Sequence, residues 1–327
     1  MSSECMRAEV NGTTASEYEN GLISYRRLVM LAGTASVVTG CSFVLVKLIV
    51  WFISSSSSMF ASFTDSLFDS LAAVLNLIVL RYSMKAPDYE HRFGHFKAQS
   101  LASLAQSAFI GGSAVLLIMH GIDRFRDPHE IENANIAIFV SVGTIAFTLL
   151  LVAFQTYVLR KTKSELVRVD RFHYISDVGL NLGVVAALVL SAFGYLWADG
   201  LFAVLIGLFI LHGAYVIGVE AASTLVDKSL TPEENQILMT AVLKTEGVRS
   251  LHDLKTRRAG PEYYIQCHLV LDPELNLMQA HSIADKAEAE IRRFFPEADV
   301  CLHMEPDTPE IKKDGLIYSE DLTSASV

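Results

Sequence analysis

Over the first two-thirds of the chain, apolar residues come in long blocks separated by short charged clusters, with little alternation between apolar and polar positions. Six blocks are legible, approximately Leu28–Phe52, Met59–Leu80, Leu101–Gly121, Ala134–Leu159, His173–Leu196 and Leu201–Leu225. Each has the roughly twenty residues that an α-helix needs to cross a bilayer. The pattern predicts a six-helix transmembrane domain over residues 26–226, preceded by a polar, disordered tail at 1–25 without a signal peptide. After Asp227 the pattern changes. Thr231 followed by Pro232 and Glu234 marks a helix start, a capping side chain with proline and acids in the first turn. That helix is predicted to run to about Glu246. Val248–Arg258 and Tyr263–Asp272 read as strands separated by Gly260-Pro261, Asn276–Phe295 as an amphipathic helix, and Ala298–Met304 as a third strand. Residues 227–306 therefore predict a small α+β domain, and 307–327 a flexible tail. The fold class is an α-helical membrane protein, a six-transmembrane-helix bundle with a small C-terminal cytoplasmic α+β domain.

Composition agrees with a membrane protein. The 327 residues are 51% hydrophobic with a mean hydropathy of +0.37. A net charge of -10 argues against a nucleic-acid partner. Cys5, Cys41, Cys267 and Cys301 show no CxxC spacing and read as reduced thiols. Basic residues assign the sides. Arg26 and Arg27 precede the first block, Arg81, Lys85, Arg92 and Lys97 follow the second, and Arg160, Lys161, Lys163, Arg168 and Arg171 follow the fourth. The loop after the third block holds Arg124 and Arg126, outnumbered by Asp123, Asp127, Glu130 and Glu132. Both termini are expected in the cytoplasm.

Charges inside two of the blocks change the picture. Asp65 and Asp69 lie four apart in the second, so a helix stacks them on one face. His173 and Asp177 repeat the spacing in the fifth. Carboxylates within a membrane are costly and mark ion paths or proton relays. Three carboxylates and one imidazole can close a tetrahedral cage around a divalent metal, and the imidazole favours zinc-like ions, with Cd²⁺ and Fe²⁺ as alternatives. Metal competes with protons for each ligand, which supplies a physical basis for antiport. Asp88, His91 and His95 form a second candidate site in the loop after the second block. His252, His268, His281, His303 and Glu305 form a third, in the soluble domain. Strand alternation turns Tyr263, Ile265, Cys267 and Leu269 to one face and His268 to the other, and it separates Val300, Leu302 and Met304 from Cys301, His303 and Glu305. Cys267 reads as core, while Cys301 fits either core or ligand. Asn76 and Asn181 are expected to hydrogen-bond across helices. Ser103, Ser107 and Gly111, four apart, suit either a dimer seam or internal helix packing.

Four stretches, SFTDSLFDSLAAVLNL, RYSMKAPDYEHRFGHFKAQSLASLAQSAFI, FHYISDVGLN and HDLKTRRAGP…IQCHL…QAHSIAD…CLHMEP, make the chain resemble the cation diffusion facilitator family from Arg26 to Pro306. The resemblance implies a bacterial inner-membrane transporter, not an enzyme. It implies a homodimer with a metallochaperone-like cytoplasmic domain that exchanges Zn²⁺ for protons by alternating access. It also implies a transport site at Asp65, Asp69, His173 and Asp177, a loop site at Asp88, His91 and His95, and a binuclear zinc site at His252, His268, His281, His303 and position 305. Lys97 and Asp227 match the family's charge interlock at the dimer contact. The family pattern has Asp at position 305, where this chain has Glu305.

Other classes fit less well. An intramembrane zinc protease needs HExxH, and the nearest string, His129–Asn133, lacks the second histidine. An ATP-driven pump needs a phosphate loop or an aspartyl-phosphorylation motif, and neither occurs. A membrane-anchored zinc sensor without transport accounts for the soluble histidines and leaves the ligands inside the bilayer unexplained.

Overall fold

The computed structural model describes residues 12–54, 57–126, 134–193, 195, 197–296, 298–308 and 317–318. The expected tail over residues 1–11, the acids Asp127, Glu130 and Glu132, and most of 307–327 lie outside the described residues. The chain divides into a helical unit, Ser24–Leu225, and a second unit that takes in the described residues from Val226 onward together with residues 12–23.

The helical unit is built from α1 (Gly12–Ser54) from Ser24 onward, α2 (Ser57–Ser83), α3 (Lys97–Arg126), α4 (Ala134–Thr162), α5 (Glu165–Ala192) and α6 (Ala198–Leu225). Helix α1 begins within the segment that composition suggests is a tail. Among the described residues, five stretches are long and apolar enough to cross a membrane: Gly21–Ile53, Ser62–Ser83, Lys97–Arg126, Val142–Thr162 and Ala198–Leu225. Helix α5 is not one of them. Its first half carries Glu165, Arg168, Asp170, Arg171, His173 and Asp177. Its N-terminal turns also extend beyond the expected start at His173, because Glu165 and Arg168 find partners on α6. Thr224 Oγ1 donates to Glu165 Oε1 at 2.7 Å, and Arg168 forms a two-pronged ion pair with Glu220.

Small residues let α3 and α6 approach closely. A Cβ placed on Gly200 would lie 2.5 Å from Phe125 N and 2.6 Å from Gly121 O, backbone atoms that cannot swing aside. Buried Ser107 also faces this seam, since a Cβ on Gly218 would lie 2.9 Å from its Oγ. Internal packing therefore accounts for Ser107, one of the three small residues at helical spacing. At one end of the unit, Gln99 gathers Tyr25, Ser83 and Ser164, with Ser164 Oγ donating to Gln99 Oε1 at 2.7 Å and Gln99 Nε2 donating to Ser83 Oγ at 3.1 Å. In a setting without water, such amides fix helices that have no hydrophobic drive to associate with each other.

The second unit contains α7 (Pro232–Leu243), β1 (Ser250–Ala259), β2 (Glu262–Leu271), α8 (Leu277–Phe294), β3 (Ala298–Pro306) and β4 (Ile317–Tyr318). Capping boxes start both helices, Thr231 with Glu234 on α7 and Asn276 with Gln279 on α8. The sheet order is β3-β2-β1-β4, with β2 and β3 parallel and the other pairs antiparallel. One face packs Leu251, Ile265, Cys267 and Leu269 against Leu238, Val242, Ala287 and Ile291 of the helices. Burial pushes the Cys267 thiol up to about 12, which keeps it neutral in this core.

Candidate metal centre

In the helical unit, α2 and α5 bring Asp69, His173 and Asp177 together, with one ligand atom of each within 4.8 Å of the others. His173 Nε2 stands 3.3 Å from Asp69 Oδ1 and 3.8 Å from Asp177 Oδ2. That nitrogen is buried and makes no hydrogen bond among the described residues. An imidazole nitrogen buried between two carboxylates, within ion-pair distance of both but in hydrogen-bond geometry with neither, is well suited to a shared cation. Asp65, the fourth residue of the expected set, lies outside this group and is exposed. It sits one turn along α2, where helix geometry separates neighbouring side chains by about 5–6 Å.

Two charged residues near this group escaped the motif reading. Lys47 of α1 donates to Ser66 Oγ at 2.7 Å and to Ser62 O at 3.4 Å. A lone lysine in LVKLIVWF is itself the signal that finds it. Asp170 is buried and accepts hydrogen bonds from Ser36 Oγ at 2.6 Å, Gln155 Nε2 at 2.7 Å and Asn76 Nδ2 at 3.3 Å. These donors come from α1, α4 and α2. Tyr174, the next residue after His173, donates to Ser36 O at 3.2 Å. The rotation of α5, and with it the aim of His173 and Asp177, is fixed by this network. Asn76 bonds across helices also to Gln106, whereas Asn181 bonds within α5 to Asp177 O.

The loop between α2 and α3 holds Asp88, His91 and His95 as a second group. Asp88 Oδ1 accepts from the backbone N–H of His91 at 2.7 Å and of Glu90 at 3.0 Å. The His91 N–H is the main cause that holds this exposed carboxylate below its ordinary range. Asp88 oxygens lie 3.4 Å from His91 Nδ1 and 3.3 Å from His95 Nε2. His95 is buried against Tyr82, ring centroids 4.9 Å apart, which limits its freedom to leave the site.

In the sheet, register creates a third group. His252 pairs with His268 across β1 and β2, and His268 pairs with His303 across β2 and β3. Three imidazoles thus line the face opposite the core, with centroid spacings of 4.9 and 4.7 Å. Glu305 reaches all three, at 3.0 Å to His252, 2.8 Å to His268 and 3.6 Å to His303. Burial pushes the Glu305 carboxyl up, but hydrogen bonds and charge from His252 and His268 outweigh it and hold the group below its ordinary range. His252, His268 and Glu305 meet the 4.8 Å grouping; His303 is adjacent. His281 lies on α8, exposed, 3.5 Å from Asp285. A bulge after His252 places Asp253 at φ 50°, with its carboxylate 3.7 Å from His268. Cys301 is exposed. Lys97 donates to Leu225 O at 3.4 Å in the helical unit, and Asp227 accepts from Arg257 at 3.1 Å in the second.

Comparison with known proteins identifies the family. The profile described as "Cation efflux transmembrane domain" matches residues 34–226, and the one described as "Cation efflux protein, cytoplasmic domain" matches residues 230–307. The cation-efflux pump FieF of Klebsiella pneumoniae is 44% identical over 285 residues, 87% of this chain and 95% of that protein. The cation-efflux pump FieF of Shewanella oneidensis is 45% identical over 278 residues, 85% of this chain and 94% of that protein. A solved CzrB structure in its Zn form is 30% identical and covers 26% of this chain and 99% of its own, with a TM-score of 0.24. Profiles spanning both units, together with relatives similar along nearly their whole length, establish that the chain belongs to the cation efflux (cation diffusion facilitator) family, whose members are multi-pass membrane transporters of divalent metal and not enzymes.

Proposed function

We propose that this chain exports Zn²⁺ in exchange for protons, by alternating access, through Asp69, His173 and Asp177, with Asp65 joining the coordination when metal is bound. The observation that carries this reading is His173 Nε2, buried, without a hydrogen bond, and facing the carboxylates of Asp69 and Asp177. Mixed oxygen and nitrogen ligands favour Zn²⁺, with Cd²⁺ and Fe²⁺ as further cargo. Each ligand also binds protons, so metal release on the acidic side and proton release on the other are linked. All six long helices cross the bacterial inner membrane in this reading, both termini cytoplasmic. Helix α5 is tolerated there because its polar residues face other helices. The domain boundaries are those read from the sequence, near residues 226 and 306. The protein works as a homodimer held near the membrane surface by Lys97 and Asp227. The His252–His268–Glu305 group binds Zn²⁺ together with His303 and His281, and the Asp88–His91–His95 loop binds it separately.

The alternative is a membrane-anchored zinc sensor. The His–Glu cluster of the sheet favours it, because a sensor needs that cluster alone. Zinc-dependent pH change in reconstituted vesicles separates the two. The exporter reading expects proton movement in the wild type and none in Asp69→Ala or Asp177→Ala. Zinc binding without proton movement in the wild type leaves the sensor.

A further inference from the structure

We propose that Lys47 is a tethered competing cation, a residue that weakens metal binding at the Asp69–His173–Asp177 group and so speeds release. The inference rests on the reading of that group as the transport site. A lysine inside an apolar span normally turns its stem along the helix to reach water. Lys47 instead crosses to α2, where Ser66 Oγ and Ser62 O hold its ammonium. Both acceptors are uncharged. Ser66 stands between Asp65 and Asp69 on α2, and Asp69 in turn meets His173 and Asp177, so the ammonium is held on the helix that carries two of these carboxylates. Among the described residues no ion pair joins Lys47 to any of them, whereas His173 pairs with both Asp69 and Asp177. The ammonium therefore adds positive charge beside the group while leaving the carboxylate oxygens open to metal.

Lys47, Asp69 and Asp177 are half-buried, so their charges are screened less than those of fully exposed groups. With three ionised carboxylates a divalent ion leaves one negative charge over, and Lys47 cancels it, so the loaded site needs no further cation. The same charge repels the metal and limits how tightly it is held. Ser62 precedes Asp65 and Asp69 along α2, so the ammonium is anchored toward the α1–α2 turn, the outer end in the proposed topology. Metal leaving by that end passes the lysine.

The test is equilibrium titration of the full-length protein in detergent with Zn²⁺, and separately with Cd²⁺. His95→Ala, His252→Ala and His268→Ala in the background silence the other two groups. Lys47→Gln is expected to bind at least tenfold more tightly, about 1.4 kcal/mol, and to show a lower maximal transport rate in vesicles. Lys47→Arg keeps the charge and is expected to bind within threefold of the background protein. Lys47→Met repeats the test should the glutamine variant fail to fold. Unchanged or weaker binding in the uncharged variants, or equal tightening in Lys47→Arg, overturns the proposal. Asp177→Ala in the same background separates the two layers. If it still binds metal normally, the transport site has been misplaced. If it loses binding while Lys47→Gln fails to tighten, only the role of Lys47 is wrong.

Discussion

Replacing Asp170 with alanine removes the acceptor shared by three helices, and its cost can be worked out bond by bond. Ser36 can turn its hydroxyl fully to Ala32 O, 3.1 Å away. Asn76 keeps its bond to Gln106 Oε1 at 2.9 Å. Gln155 is the poorest placed, because it is fully buried and its remaining partner is Ser36 Oγ at 3.0 Å. A buried donor left without an acceptor costs about 1–3 kcal/mol. One such donor, plus partial losses at the other two, gives about 2–4 kcal/mol. Asp170→Asn retains one carbonyl oxygen and should lose about half of that. The network also sets the rotation of α5, so zinc affinity at the proposed Asp69–His173–Asp177 site should fall in step with stability. The assays are thermal unfolding of the detergent-solubilised protein and zinc titration of the same samples. Wild-type unfolding temperature and wild-type zinc affinity in Asp170→Ala would refute the idea that this carboxylate aims His173 and Asp177.

Two further outcomes follow from the packing and the sheet. Gly200→Ala forces a Cβ to within 2.5–2.8 Å of the Phe125 and Gly121 backbone; separation of α3 from α6 should cost about 1–3 kcal/mol, read as a lower unfolding temperature with unchanged zinc affinity in the sheet. Glu305 titrates below its ordinary value in the folded, metal-free protein. A depressed carboxyl contributes stability that is present above its unfolded pKa and is lost as pH falls through the folded one. Unfolding of the second unit should therefore be more pH-dependent below about pH 4.5 in the wild type than in Glu305→Gln, and parallel pH curves for the two would contradict the geometry.

Much of this architecture is legible in the chain because two strong signals dominate it. Span length exposes the apolar helices, and Thr231-Pro232 with Glu234 exposes the start of α7. Period-two alternation also turns His268, His303 and Glu305 away from the core that holds Ile265, Cys267 and Leu269. What pattern reading misses depends on contacts distant in sequence. Strand β4 is two residues long and exists only through pairing of Ser250 with Tyr318 and Leu251 with Ile317. Asp170 precedes the apolar stretch of α5 and gains its meaning from Ser36, Asn76 and Gln155. Lys47 lies in plain view, but its importance comes from which helix its side chain reaches. Spacing groups Asp65 with Asp69, while the structure puts Asp69 beside His173 and Asp177 and leaves Asp65 a turn away. Spacing along one helix fixes a face, and only the angle between two helices decides which turn of that face meets its partner.

The central claim is tested most directly by zinc accumulation in sealed vesicles with an acidic lumen, without ATP and with the pH gradient as the sole driving force. The account predicts uptake of Zn²⁺ against its own gradient, alkalinisation of the lumen as metal enters, and loss of both in His173→Ala and Asp177→Ala. Accumulation that persists after the pH gradient is collapsed, or that survives in Asp177→Ala, would contradict it.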